Sequence, residues 1–224
     1  MNYEAIIFDC DGTLVDSERL VNEVVVEFAE LFGIHLSVEE ALARFKGIKM
    51  ADCVSHLESL RGTPLPSSFV TDLRARMVDA LSSRLRPIEG AIDLVRSLSI
   101  PFGVASSSPR EKIELSLSVT GLLPYFQGRI FSSYEVRSWK PDPGLFIHAA
   151  LSLGAAPAHC AVVEDSMPGI TAGLAAGMAV FALIDSPVSS QIPAGVYPIA
   201  GLGELMRLLT PRDGSIDRGG SCQR

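Results

Sequence analysis

The chain has few cysteines, no concentrated run of Lys and Arg, and no long apolar stretch. Each absence excludes something. Its four cysteines, Cys10, Cys53, Cys160 and Cys222, are scattered without a C-x-x-C pair, and His35, His56, His148 and His159 lack zinc-ligand spacing. Free thiols, and no zinc site, are therefore expected. A formal net charge of -7 without a basic cluster disfavours a nucleic-acid surface, which rests on clustered cations. No apolar run approaches the roughly 20 residues of a membrane helix, so no membrane partner is expected. No basic segment followed by an apolar stretch and a cleavage site opens the sequence, and with free thiols this implies a reducing cytoplasm. No internal repeat is visible. What is present is 224 residues of 47% hydrophobic composition, enough for one large domain or a domain carrying a smaller insert.

Tyr3 to Asp9 reads as a short, nearly continuous apolar strand of the kind buried on both faces of a parallel sheet. Similar runs recur at Pro101 to Ser106, Arg129 to Ser132, Cys160 to Glu164 and Ala179 to Ile184. Helical patterns lie between them, at Ala91 to Ser99, Pro109 to Thr120, Pro143 to Leu153 and Pro168 to Ala176. The alternation predicts an α/β fold, a doubly wound parallel sheet with helices on both faces. From Val15 to about Arg86 no strand appears, while Glu18 to Phe32, Val38 to Phe45, Ala51 to Leu60 and Ser67 to Leu85 read as helices. That interval is expected to be an inserted helical subdomain, residues 15–86, with the core formed by 1–14 and 87–210. The polar, Gly-rich residues 211–224 are expected to form a disordered tail.

The first strand ends in Asp9-Cys10-Asp11-Gly12-Thr13. In an extended segment Asp9 and Asp11 share a face about 6 to 7 Å apart, with Cys10 turned the other way. Two carboxylates so placed repel, and a hard cation such as Mg²⁺ relieves that repulsion. A pair of solvated loop acids explains the same residues equally well. A calcium loop does not, since its sixth and twelfth positions would be Leu14 and Leu20.

Three later strand ends bear on the choice. Ser106 stands where a hydroxyl and the free amides of a following helix can hold an anion, while Ser108 with Glu111 fits a capping box, which makes Ser108 structural. In Trp139-Lys140-Pro141-Asp142-Pro143 the prolines restrict Lys140, which can then neutralise a carboxylate pair and a phosphoryl group; a solvated lysine is the plainer alternative. Glu164-Asp165 follows a further apolar run and adds oxygen ligands if the strands are neighbours, although Asp165 also suits a helix cap.

Together these segments resemble the haloacid dehalogenase superfamily, in order and over nearly the whole chain. The helical insert is similar to that family's cap, and Ala172 to Met178 to its last helix-to-strand crossover. The resemblance implies a Rossmann-like core with an α-helical cap, and a phosphatase or a related β-phosphoglucomutase-like enzyme. It implies that Asp9 attacks phosphorus, that Asp11 protonates the leaving oxygen and then activates water, and that Ser106 and Lys140 grip the phosphoryl oxygens. Mg²⁺ would be held by Asp9, the Asp11 backbone carbonyl and Asp165, with Glu164 as a direct or an outer-shell ligand. Asp11 speaks against dehalogenation, and Val21, where the mutase branch has a histidine, favours hydrolysis over phosphoryl return to a sugar. Lys46 and Lys49, between two cap helices, are candidates for reading an anionic substrate end, as in the 6-phosphogluconate phosphatase type. The expected partner is a small phosphorylated metabolite, and the expected state a monomer or weak homodimer. A phosphoaccepting signalling module is the competing class, and its lack of a large helical insert argues against it.

Overall fold

Strands buried along their whole length require a sheet covered on both faces, and that is the arrangement found. The computed structural model describes residues 3–45, 50–183, 193 and 195–209. Strands β1 (Ala5–Phe8), β2 (Phe102–Ser106), β3 (Ile130–Ser132), β4 (Cys160–Glu164), β5 (Ala179–Leu183) and β6 (Val196–Ile199) form one sheet in the order β3-β2-β1-β4-β5-β6. All its pairings are parallel. β1 is central, and Phe8 pairs with Val104 on one side and Val163 on the other. The chain runs outward from β1 through β2 to β3 and then returns to the opposite side of β1 as β4. Ligand crevices of open α/β sheets open at such a reversal, beyond the carboxyl ends of the strands.

Between β1 and β2 lie α1 (Ser17–Glu30), α2 (Val38–Phe45), α3 (Met50–Arg61) and α4 (Phe69–Arg84), with no strand of the sheet among them. α1 carries Leu20, Val24 and Phe28 at helical spacing, all buried, and packs against α2 and α4. Phe28 stacks on Phe69 with ring centroids 4.9 Å apart, Phe32 meets both edge-on, and the Arg76 guanidinium lies 4.7 Å from the Phe28 centroid. α4 also meets a core helix, α6 (Arg110–Val119).

The two sheet faces are covered by different helices. Ile6, Phe8, Val104 and Val163 share a core with Leu94 of α5 (Ala91–Ser97), Ile113 of α6 (Arg110–Val119), Phe126 of α7 (Leu123–Phe126) and Leu205 of α11 (Leu202–Leu209). Ala5, Ile7, Ala105 and Val162 face Phe146 of α9 (Gly144–Ser152) and Ile170 of α10 (Met167–Ala175), while the single turn α8 (Ser133–Val136) joins β3 to the loop before α9. Among the described residues no helix is long and apolar enough to cross a membrane.

The structure adds β6 and α11, which the sequence reading does not predict. β6 lies at the sheet edge, carries Pro198 and buries only its two ends, Val196 and Ile199, so its apolar signal is weak. The helix expected to reach Ser99 ends at Ser97. Two expected caps are also replaced. α6 has Pro109 rather than Ser108 as its cap residue and no side-chain cap bond, and α10 is capped by Ser166, whose hydroxyl accepts from the Gly169 amide, not by Asp165. In both cases the chemistry of the sheet edge takes the side chain instead. The expected tail 211–224 lies outside the described residues.

Candidate active site

Asp9 follows β1 directly and donates its amide to the Val163 carbonyl at 2.9 Å, which extends the sheet ladder by one residue and fixes the backbone there. Its carboxylate is buried and hydrogen-bonded by the Lys140 ammonium. Lys140 enters from the segment before α9, through a cis bond to Pro141, and only 5% of its side chain is exposed. The same ammonium donates to Glu164 Oε1 at 2.6 Å and lies 4.9 Å from the Phe146 centroid. Glu164, at the end of β4, has no exposed surface, and its other oxygen accepts from the Ser166 amide and hydroxyl, both at 2.8 Å. Every oxygen of this buried carboxylate is therefore partnered, as burial requires. Gly169 makes the room, since a Cβ there would overlap the Glu164 carboxylate.

Asp9, Glu164 and Asp165 each offer a carboxylate oxygen within 4.8 Å of the others, a hard-oxygen set that fits Mg²⁺. Gly12, with φ of 83°, turns the chain beneath Asp165, where a Cβ would lie 2.8 Å from the carboxyl carbon. Thr13, buried, holds Asp165 Oδ1 in a long 3.4 Å contact. Burial pushes the Asp9 carboxyl well above its ordinary value, and Glu164 and Asp165 push the same way against the opposing pull of Lys140. For Lys140 burial disfavours the charge, but Asp9 and Glu164 outweigh it and hold the ammonium protonated beyond its usual range.

Asp11 has a different set of partners. Its Oδ1 accepts from the Ser17 hydroxyl at 2.7 Å, and its Oδ2 accepts from Ser108 Oγ at 3.0 Å and from Lys112 Nζ at 2.9 Å. Burial works against its charge, but the Lys112 ammonium and these hydrogen bonds outweigh it and bring the carboxyl below the usual aspartate range. Lys140 thus neutralises Asp9 and Glu164 rather than the expected Asp9 and Asp11 pair, because Glu164 is its immediate neighbour across the sheet edge while Asp11 has its own cation. The Asp11 carboxylate is not among the three clustered acids.

Ser106, at the end of β2, is buried, and its hydroxyl accepts the Ser108 amide at 3.1 Å. Its own proton finds no acceptor among the described residues. The Ser132 hydroxyl donates to the Ser108 carbonyl at 2.7 Å and closes this loop from the β3 side. Cys10 is buried in the core, as the strand period predicts. Lys46 and Lys49 lie outside the described residues.

Three residues on Asp11 escape the sequence reading: Ser17, Lys112 and the reassigned Ser108. Lys112 left one signal, a cation in the first turn of α6, where the helix dipole favours an acid. Two cavities reach this region, one at Gly12 and Asp165 and the other at Asp11. One of about 960 Å³ touches Gly12, Asp165, Glu18 and Arg19. The other, about 260 Å³, is walled by Asp11, Ser17, Val21, Phe45, Leu81 and Lys112.

Comparison with known proteins agrees with this architecture. A family model described as haloacid dehalogenase-like hydrolase matches residues 3–177. The chain belongs to the haloacid dehalogenase-like hydrolases and is an enzyme of that class. Among curated relatives it is 37% identical over 190 residues to the 6-phosphogluconate phosphatase of Escherichia coli strain K12, covering 84% of this chain and 86% of that protein. It is 30% identical over 200 residues to hexitol phosphatase A of the same organism, covering 86% of this chain and 89% of that protein. Among solved structures, a haloacid dehalogenase family hydrolase from Deinococcus radiodurans R1 with bound phosphate and sodium matches with a TM-score of 0.83 and 31% identity, over 94% of this chain and 99% of that one.

Proposed function

We propose that this enzyme is a Mg²⁺-dependent phosphomonoester hydrolase acting on small sugar or sugar-acid phosphates through an aspartyl-phosphate. The observation that carries this reading is the unequal treatment of two aspartates two residues apart. Asp9 sits in a buried nest with Lys140, Glu164 and Asp165, and Asp11 is held separately by hydroxyls and Lys112. One is placed to attack and the other to manage protons.

In this reading an Asp9 carboxylate oxygen forms a bond to phosphorus as the ester P–O bond breaks, and Asp11 gives its proton to the departing oxygen. Asp11 then takes a proton from the water that attacks the aspartyl-phosphate, which releases phosphate and restores Asp9. Held by Lys112 and two hydroxyls, Asp11 is ionised and set for that second step; the first requires that it take up a proton away from Lys112. Ser106, with a free hydroxyl proton, and Lys140 bind phosphoryl oxygens, so most of the catalysis is positioning and charge neutralisation. Asp9, Asp165 and the Asp11 backbone carbonyl would hold Mg²⁺, with Glu164 acting mainly by fixing Lys140, since Lys140 and Ser166 already occupy its oxygens. The metal supplies charge neutralisation for the transferring phosphoryl group.

Residues 15–86 would act as a cap that closes over the sheet edge and chooses the substrate, with Lys46 and Lys49 toward its anionic end. The phosphatase names of the relatives support a phosphorylated sugar or sugar acid as substrate. Phosphoryl return to a sugar is disfavoured, because Val21 presents an apolar side chain to the cavity beside Asp11. Buried, unpaired Cys10, Cys53 and Cys160 suit a reducing compartment such as the cytoplasm, and we take the chain to be a monomer or weak homodimer.

The deciding experiment is phosphate release from sugar and sugar-acid phosphates, with Mg²⁺ and with a chelator, beside Asp9→Asn. Loss of at least about 10⁴-fold in Asp9→Asn is expected, as for removal of a nucleophile. Undiminished turnover in that variant overturns the mechanism, and a rate insensitive to chelation overturns the metal. An unchanged preference between carboxylated and neutral esters in Lys46→Ala and Lys49→Ala removes those two lysines from substrate choice.

A further inference from the structure

In the proposed hydrolysis Lys112 holds Asp11 and makes no contact with substrate. It stands in the first turn of α6, a helix of 10 residues, where a cation faces the positive end of the helix dipole. A lysine pays for that position only if an anion meets it, and Asp11 at 2.9 Å is one such partner. Lys112 is nevertheless 41% exposed and forms part of the wall of the 260 Å³ cavity between the core and the helical insert. An ammonium has three N–H donors and no acceptor. Among the described residues it makes two hydrogen bonds, to Asp11 Oδ2 and to Ser108 Oγ at 3.1 Å, one short of its capacity.

In the proposed reaction the cavity falls on the alcohol side of the substrate, because Asp11 lines it. A phosphoryl group held by Asp9, Lys140 and Ser106 presents its ester oxygen to Asp11, so the alcohol part extends from Asp11 into the space that Asp11 walls. The other walls are Val21, Phe45 and Leu81, with Asn22, Ser17 and Glu18 as polar members. Among the described residues that line the cavity, Lys112 is the sole cation. Glu18 lines both this cavity and the 960 Å³ cleft. At 260 Å³ the cavity is just below the usual size of a ligand site, which suits a small open-chain leaving group such as a sugar acid.

We propose that Lys112 is a specificity-determining residue that binds a carboxylate on the alcohol part of the substrate, within this cavity. This rests on the phosphatase reading and names the substrate class more narrowly, as sugar-acid rather than neutral sugar phosphates. The bond uses the spare N–H of the ammonium. It differs from the Lys46 and Lys49 proposal in place, since Lys112 belongs to the core and already touches Asp11.

The test compares kcat/KM for 6-phosphogluconate with that for a hexitol phosphate, in the Mg²⁺-loaded wild type, Lys112→Met and Lys112→Arg. Contact with Asp11 means that Lys112→Met slows both substrates, so the ratio is the readout. The ratio of carboxylated to neutral ester is expected to fall by about 10- to 100-fold in Lys112→Met, mostly through KM, as for loss of a charge-assisted hydrogen bond. Lys112→Arg keeps the charge and is expected to recover most of the ratio. Equal losses on both esters overturn the proposal and leave the phosphatase reading standing, since they reduce Lys112 to a support for Asp11. A wild type that already prefers the hexitol phosphate overturns it as well. No phosphate release by the wild type from any ester overturns the phosphatase reading, and this proposal with it.

Discussion

The two sides of the acid pair are built in opposite ways. Around Asp9 nearly everything is buried: a lysine with 5% of its side chain exposed, a glutamate with none, and a metal-sized gap between three carboxylates. Around Asp11 the partners are two serines and a lysine 41% exposed, at the border with the helical insert. A buried charge network gives fixed geometry but makes every missing partner expensive, whereas a half-exposed one exchanges partners cheaply. The difference teaches that rigidity is spent where a phosphoryl group must be met in one orientation. Freedom is kept where a proton must move and a substrate must be chosen.

One substitution on each side, at Asp11 and at Lys140, separates the two most sharply. Asp11→Asn is expected to lower kcat by about 10²- to 10⁴-fold, the usual contribution of a positioned acid or base, while its unfolding midpoint stays close to wild type. A comparable collapse in stability would show that Asp11 belongs to the rigid side after all. Lys140→Met should do the reverse in a test without substrate. It leaves Asp9 and Glu164 buried beside each other without their cation, and a broken buried pair costs about 3 to 5 kcal/mol. Denaturant unfolding measures this, and added Mg²⁺ is expected to recover more stability in Lys140→Met than in wild type, because the metal then supplies the missing positive charge. Equal Mg²⁺ effects in both proteins would place the ion elsewhere than beside Asp9 and Asp165.

The same contrast explains what the sequence made legible. The Asp9 side is written in strand ends: Phe8-Asp9, Ser106 and Glu164-Asp165 each follow an apolar run, and parallel pairing brings those ends together. Lys140 was legible through the prolines beside it, although which acids it neutralises was not, since that depends on β4 lying next to β1. The Asp11 side is written in helix starts. There a serine before a proline and a glutamate three residues on looks like a cap whether or not it is one, and Ser108 in fact turns to Asp11. Lys112 reaches Asp11 across 101 positions of sequence, and no local pattern records that contact. β6 and α11 were missed for a simpler reason, because an edge strand with an internal proline carries neither a continuous apolar run nor a clean alternation.

A smaller change tests how tightly the buried side is framed. Gly169→Ala places a methyl group on the Glu164 carboxylate, which Ser166 and Lys140 prevent from moving aside. Alanine gains up to about 1 kcal/mol over glycine inside a helix, whereas overpacking costs about 1 to 3 kcal/mol. A net loss of stability is therefore expected in thermal or denaturant unfolding. A variant more stable than wild type would mean that Glu164 is free to shift and does not fix Lys140.

The smallest effect is expected from Ser108→Ala, and it discriminates between two roles for one hydroxyl. As a helix cap, Ser108 would lose about 1 kcal/mol of stability on truncation and leave turnover alone. As a partner of Asp11 and Lys112, it should leave the unfolding midpoint nearly unchanged, because no backbone amide of α6 depends on its hydroxyl. Turnover should then fall by less than about tenfold, one neutral hydrogen bond's worth, with Ser17 and Lys112 still holding the carboxylate. Measuring kcat and the unfolding midpoint on the same preparation decides between them. A drop in the midpoint with kcat intact would return Ser108 to the role that its sequence context implies, and would leave the Asp11 side resting on Ser17 and Lys112 alone.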